Sequence, residues 1–272
     1  MSVRYTLARP VEVSGVGLRT GERRRARLVP GDAGVVFVSG GVEIAAVAEN
    51  VVDATLATTL GSGTARVALV EHLLAAIVAS GLDSVRVEVD GDEVPILDGC
   101  SLGWLGALST AGRSALPGPG RAWTVREPVR VQRGESWAEL RPSAALELDV
   151  AVDFPHPSIG VQRWSGAPMA VFGSDLAWAR TFGFQTDAER LTALGIVRGA
   201  SLQNTLVFGE AGPLNPSGLR AADEVVRHKA LDALGDLALV PGAPRVRLVA
   251  NRGGHALHHA LLRAAAPVIV PA

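Results

Sequence analysis

His228 and Asp232 stand four residues apart in the run Arg-His-Lys-Ala-Leu-Asp. On a helix that spacing puts an imidazole and a carboxylate on one face, where both can grip a single metal ion. Between them lies Lys229, the only lysine in a chain with 26 Lys and Arg residues. A chain that writes its other basic positions as arginine keeps an ammonium here, as expected where a compact, rotatable charge is needed and a planar guanidinium does not serve. An exposed ion pair with an accidental lysine beside it accounts for the same spacing and stays open.

A second pair, Glu71-His72, interrupts the apolar run Ala68-Leu69-Val70-Glu71-His72-Leu73-Leu74-Ala75-Ala76. Charged groups in such a run need a partner or a ligand, because an isolated buried charge is costly. Neighbouring helix residues point about 100° apart, so His72 can ligate a metal while Glu71 reaches a water beside it. A satisfied core histidine next to a surface glutamate is the alternative.

The stripe of His228, Asp232 and Asp236 continues along the same helix face. Only the first two readily share a metal, which leaves Asp236 to orient another group. A third cluster, Arg252-Gly253-Gly254-His255, ends a strand and opens a helix, and its paired glycines permit a tight turn or a close ligand approach. A carboxylate such as Asp236 would let His255 keep its proton near neutral pH and act as a general acid, provided it outweighs the opposing field of the helix N-terminus. His255 and His259 are also four apart and form a rival metal pair, but no acidic residue lies near them in sequence. The expectation for His258 and His259 is therefore a solvated helix face. His156, between Pro155 and Pro157, sits in a rigid turn, and Cys100, after Leu97-Asp98-Gly99, reads as a small packed residue.

Elements must carry these clusters, and 272 residues suffice for two domains of ordinary size. The breakers Leu116-Pro117-Gly118-Pro119-Gly120 predict a boundary between an N-terminal α/β domain over 1–118 and a C-terminal one over 119–272. In the first half, strands at 26–29, 34–38 and 41–46 lead to a helix over 70–80 and an alternating strand at 84–89. In the second, strands at 125–132, 137–141 and 146–153 lead to a helix over 222–239 and a strand at 245–250. Each half thus sets a histidine-bearing helix ahead of a Val-Arg strand, a sign of two similar halves, although helix followed by strand is common without duplication.

Hydrophobic residues make up 48% of the chain, yet no apolar run approaches the roughly 18 residues of a membrane span. With no secretory segment at the N-terminus, the expected compartment is the cytoplasm. One cysteine excludes an internal disulfide and leaves any metal to His, Asp and Glu, a donor set that favours zinc. A net charge of -1 gives no basis for a nucleic-acid partner, and Arg23-Arg24-Arg25 reads as a solvated face.

Taken together, Val70-Glu71-His72-Leu73, Pro95-Ile96-Leu97-Asp98-Gly99, Ala179-Arg180-Thr181-Phe182-Gly183, Asp223-Glu224-Val225-Val226-Arg227-His228-Lys229 and Gly254-His255-Ala256-Leu257 resemble the UDP-3-O-acyl-N-acetylglucosamine deacetylases of lipid A synthesis. The similarity runs from Gly15-Val16-Gly17-Leu18 through Leu262. It implies an α+β fold of two similar α/β domains packed face to face, with helices sandwiched between sheets and the active site between the domains. It also implies zinc held by His72, His228 and Asp232. Glu71 would be the general base for the attacking water, Thr181 and His255 would stabilise the oxyanion, and protonated His255, held by Asp236, would serve the departing amine.

By the same resemblance Lys229 would meet the anionic part of an acylated UDP-sugar, and Asp153 and Phe154 the uridine end, with Phe182 and Arg252 among the substrate contacts. An insert near 178–204, with Leu191, Leu194, Ile196 and Val197, matches the region that forms the acyl-chain passage. A lipid-like substrate implies transient contact with the inner leaflet, while the oligomeric state stays open. The chain departs from the family pattern at Arg19, Ala68-Leu69, Ala221 and Arg252, all outside the expected zinc ligands. Two alternatives remain: a related amidohydrolase acting on another N-acetylated sugar, and a homologue that binds without turnover.

Overall fold

The computed structural model describes residues 3–272. Two five-stranded sheets share one strand order. The first runs Val11–Val16, Arg23–Pro30, Val85–Val89, Val35–Ser39, Val42–Ala45. The second runs Val129–Arg133, Ser136–Pro142, Val246–Asn251, Glu147–Phe154, Gly160–Gly166. In both, the central strand is the last to be contributed, and it is parallel to one neighbour and antiparallel to the other. A parallel neighbour requires a crossover, and in each half that crossover includes a helix, Glu71–Ala79 or Glu224–Leu237. A further helix follows each central strand, Leu102–Ala111 or His255–Ala265. The fold is therefore α+β and internally doubled.

Side-chain alternation explains which face of each sheet turns inward. Val85, Val87 and Val89 are buried, whereas Arg86 and Glu88 point outward and join ion pairs with Glu43 and Arg27. In the second sheet Val246, Leu248 and Ala250 are buried, while Arg247 reaches outward to Asp149, which also accepts two hydrogen bonds from Arg163. Helix Glu224–Leu237 packs on strands Glu147–Phe154 and Gly160–Gly166, helix His255–Ala265 on Val129–Arg133 and Ser136–Pro142, and helices Glu71–Ala79 and Glu224–Leu237 pack against each other. Their approach depends on Gly235, where a Cβ would lie 2.1 Å from the carbonyl oxygen of Glu71.

One expectation from the sequence is corrected. Residues 125–132 form two strands in different sheets, Ala122–Val125 and Val129–Arg133, because Pro128 lacks an N–H and restricts Glu127 before it. The breaker cluster 116–120 is largely strand, since Arg113–Pro119 pairs antiparallel with Val3–Leu7. A two-stranded sheet has only edge strands, where proline is tolerated. The insert forms its own unit: strands Phe182–Phe184 and Leu206–Phe208 pair in parallel across helix Gln185–Ala193. Among the described residues no helix is long and apolar enough to cross a membrane.

Candidate metal centre and active site

His72 lies in the first turn of helix Glu71–Ala79, and His228 and Asp232 lie on helix Glu224–Leu237. Close packing of the two helices brings all three together, each nearly fully buried. The His72 and His228 Nε2 atoms are 3.5 and 3.3 Å from Asp232 Oδ1. The two rings meet edge to face with centroids 5.0 Å apart. His228 donates Nδ1–H to the Ala179 carbonyl at 3.1 Å, so its Nε2 lone pair is turned toward Asp232.

Burial pushes the His228 imidazole down to about 3, keeping it neutral as a ligand must be. Burial also opposes ionisation of Asp232, but the charges of Lys229 and His255 outweigh it and hold the carboxyl well below its usual range. Asp232 Oδ1 is buried with no hydrogen-bond partner. An orphaned carboxylate oxygen facing two imidazole nitrogens, with no thiol among the donors, fits a zinc-type cation.

Glu71 and His255 flank these three residues. The Glu71 carboxylate accepts from the Thr58 backbone N–H at 3.1 Å, and burial raises its pKa despite His255 and His72 nearby. His255 opens helix His255–Ala265, and its Nε2 lies 3.7 Å from Glu71 and 3.8 Å from Asp232. Its Nδ1 donates to Asp236 at 2.9 Å. Burial works against its charge, but Asp236, Asp232 and Glu71 prevail and raise its pKa to about 10. The carboxylates outweigh the helix N-terminus.

Thr181 is fixed by backbone hydrogen bonds, its N–H to Gly99 at 2.7 Å and its carbonyl from Leu206 at 2.8 Å. Gly99 permits this contact, since a Cβ there would lie 2.2 Å from the Asn204 carbonyl oxygen. Thr181 lines a cavity of about 80 Å³ together with Glu71, His72, His228, Asp232 and His255. Phe182, Lys229 and His255 continue from it into a wider groove of about 460 Å³ that also carries Phe154 and Arg252. The Phe154 and Phe182 rings meet edge to face at 5.5 Å. Lys229 reaches Asp232 Oδ2 at 2.9 Å and lies 5.4 Å from the centre of the Phe182 ring. Asp153 is ion-paired with Arg252, which also meets Glu135. In the insert Leu194 and Ile196 are exposed.

His258 and His259 do not form a solvated face. Both are buried, and His258 Nδ1 donates to Asp236 at 2.8 Å. The acid absent from their own segment comes from the neighbouring helix, and Asp236, His255 and His259 make a second cluster of metal-capable donors. Cys100 is buried as expected, its thiol pushed up to about 12 by burial and by the hydrogen bond it gives Asp98.

Sequence reasoning passed over Thr58, whose hydroxyl touches Asp236 and whose amide touches Glu71. Its run Ala57-Thr58-Thr59-Leu60 carries no charged residue and no metal-ligating side chain to draw notice. It also gave no role to Arg180 and Glu224, a buried bidentate pair that ties the start of the insert to the first turn of the His228 helix.

The model of the UDP-3-O-acyl N-acetylglycosamine deacetylase family matches residues 4–266. A protein of Anaeromyxobacter dehalogenans with the name UDP-3-O-acyl-N-acetylglucosamine deacetylase is 44% identical over 264 residues, covering 95% of this chain and 85% of the relative. Proteins of the same name from Myxococcus xanthus and Brucella melitensis are 42% and 41% identical, each covering 95% of this chain and 84% and 93% of the relative. With the match spanning both halves of the doubled fold and every residue of the buried His and Asp clusters, the chain belongs to the UDP-3-O-acyl N-acetylglycosamine deacetylase family.

Proposed function

We propose that this protein hydrolyses the N-acetyl group of UDP-3-O-(3-hydroxyacyl)-N-acetylglucosamine, releasing acetate and a free amine for lipid A synthesis in the cytoplasm. The observation that carries the reading is the convergence of Glu71, His255 and the His72–His228–Asp232 triad on one small cavity. A binding protein has no need of a buried base and a buried charged imidazole beside a metal triad.

His72, His228 and Asp232 would hold zinc, which when bound supplies Lewis acidity and a positive potential for charge building on the acetamide oxygen. Glu71, its proton affinity raised by burial, takes a proton from the water that attacks the carbonyl carbon. Thr181 and protonated His255 stabilise the resulting oxyanion. The C–N bond then breaks as His255 Nε2 gives its proton to the departing amine, and Asp236 holds the ring by Nδ1. Lys229, Phe154, Phe182, Asp153 and Arg252 serve the nucleotide end of the substrate, and the insert receives the acyl chain. The grouping of Phe154, Phe182, Lys229 and Arg252 around the groove next to the catalytic cavity supports this assignment.

Incubation with the acylated UDP-sugar, followed by detection of the free amine, tests the reading, with non-acylated UDP-N-acetylglucosamine as comparison. Preference for the acylated substrate is expected. Turnover of other N-acetylated sugars with equal efficiency would replace it with a broader amidohydrolase.

A further inference from the structure

Asp236 is buried and accepts from three side chains: His255 Nδ1 at 2.9 Å and His258 Nδ1 at 2.8 Å on Oδ2, and the Thr58 hydroxyl at 2.8 Å on Oδ1. The Thr58 oxygen also lies 2.8 Å from His259 Nε2. Proton counting fixes the direction of each bond. Burial disfavours ionised Asp236, but the charge of His255 and the hydrogen bonds from His255 and His258 outweigh it and keep the carboxyl below its usual range, so it can only accept. The single Thr58 hydroxyl hydrogen therefore goes to Asp236, because otherwise two acceptor oxygens would face each other. His259 must then donate from Nε2, leaving its Nδ1 as a lone pair.

Two further observations agree with this assignment. His259 Nδ1 and His258 Nε2 are buried atoms with no partner, the place where a neutral ring leaves its lone pair rather than an N–H. Burial lowers the His259 imidazole to about 4, which keeps it neutral.

We propose that Thr58 is a positioning residue for the reaction, held by His259: its hydroxyl and the His258 ring lock both oxygens of Asp236, and its amide locks Glu71. With both oxygens engaged the carboxylate cannot rotate, so the His255 plane is set and its Nε2 faces the cavity. One residue thereby ties the base and the acid to a common reference. His259 contributes through Thr58, and His258 through Asp236.

The inference rests on the deacetylase reading, so its test has one arm that needs no turnover. Long-range ¹H–¹⁵N spectra of the zinc-loaded protein should show His259 as the Nε2–H tautomer and His258 as Nδ1–H. The opposite tautomer at His259 overturns the proposal whether or not the substrate is hydrolysed. In the kinetic arm, Thr58→Val removes the hydroxyl but keeps the amide to Glu71. It should lower kcat about tenfold or more, leave KM within about twofold and retain the metal.

Thr58→Ser should recover kcat to within about threefold of the parent, and His259→Gln, which sets an amide N–H where Nε2 stands, should far exceed His259→Leu. In a Thr58→Val/His259→Leu double variant the losses should not add, because both remove one linkage. A Thr58→Val enzyme within about twofold of the parent kcat, or a Ser variant as impaired as the Val one, contradicts the proposal. If Thr58→Val does not fold, the His259 variants and the tautomers decide the matter.

Discussion

The Nε2 of His255 lies 3.7 Å from the Glu71 carboxylate across a cavity of about 80 Å³, so the proposed acid and the proposed base face each other. Their environments push both proton affinities upward: burial raises Glu71, and Asp236, Asp232 and Glu71 overcome burial to raise His255 to about 10. Activity should fall on the acid side as Glu71 is protonated and on the alkaline side as His255 loses its proton. A dication in the triad repels the imidazolium and attracts the carboxylate, moving both limbs to lower pH while keeping their order. His255 also contributes folding stability that is complete below its unfolded value of about 6.5 and is lost as pH rises through its raised folded value. Asp236→Asn should move the alkaline limb of kcat/KM toward neutrality by about one unit or more, which a pH–rate profile measures.

Removing a ligand and removing the base should separate cleanly. Glu71→Ala should retain zinc, since Glu71 lies outside the triad, and lose activity by about two to four orders of magnitude. His228→Ala should lose both metal and activity. Metal analysis of the purified variants, alongside turnover, distinguishes the two, and full activity in Glu71→Ala would remove the base assignment.

Arg180 and Glu224 are both nearly fully buried and joined by two charge-assisted hydrogen bonds of 2.8 and 3.0 Å. Arg180→Ala leaves the Glu224 carboxylate without its counter-ion at the start of the His228 helix. A loss of about 3–5 kcal/mol in unfolding free energy is expected by denaturant titration. Metal affinity should weaken as well, because the adjacent Ala179 carbonyl orients His228.

Gly235→Ala introduces a Cβ that would meet the Glu71 backbone at 2.1 Å. Helices Glu71–Ala79 and Glu224–Leu237 must separate to admit it, at a cost of about 1–3 kcal/mol. Because those helices carry the proposed base, Glu71, and all three residues of the candidate metal triad, thermal stability, metal retention and kcat should fall together.

The legible part of this site is the part encoded locally. His228 and Asp232 announce themselves by helical spacing, and Glu71 and His72 by their place in an apolar run. The burial of His258 and His259 is not legible locally, because the carboxylate that compensates them, Asp236, lies 22 residues before His258 on another helix. Thr58 carries no local signal, since its partners Glu71, Asp236 and His259 are 13, 178 and 201 residues away.

Fold features divide in the same way. The alternation at Val85–Val89 and Val246–Asn251 is visible in the chain, but the shared strand order comes from pairings between distant segments. Pro117 and Gly118 look like a linker until Val3–Leu7 supplies the partner strand that makes an edge of them.

The most direct test of the central claim is acetate release from UDP-3-O-(3-hydroxyacyl)-N-acetylglucosamine by the purified protein, measured before chelation, after chelation and with zinc restored. Activity lost to the chelator and recovered with zinc is the predicted result. A folded, zinc-loaded protein that releases no acetate would contradict the account.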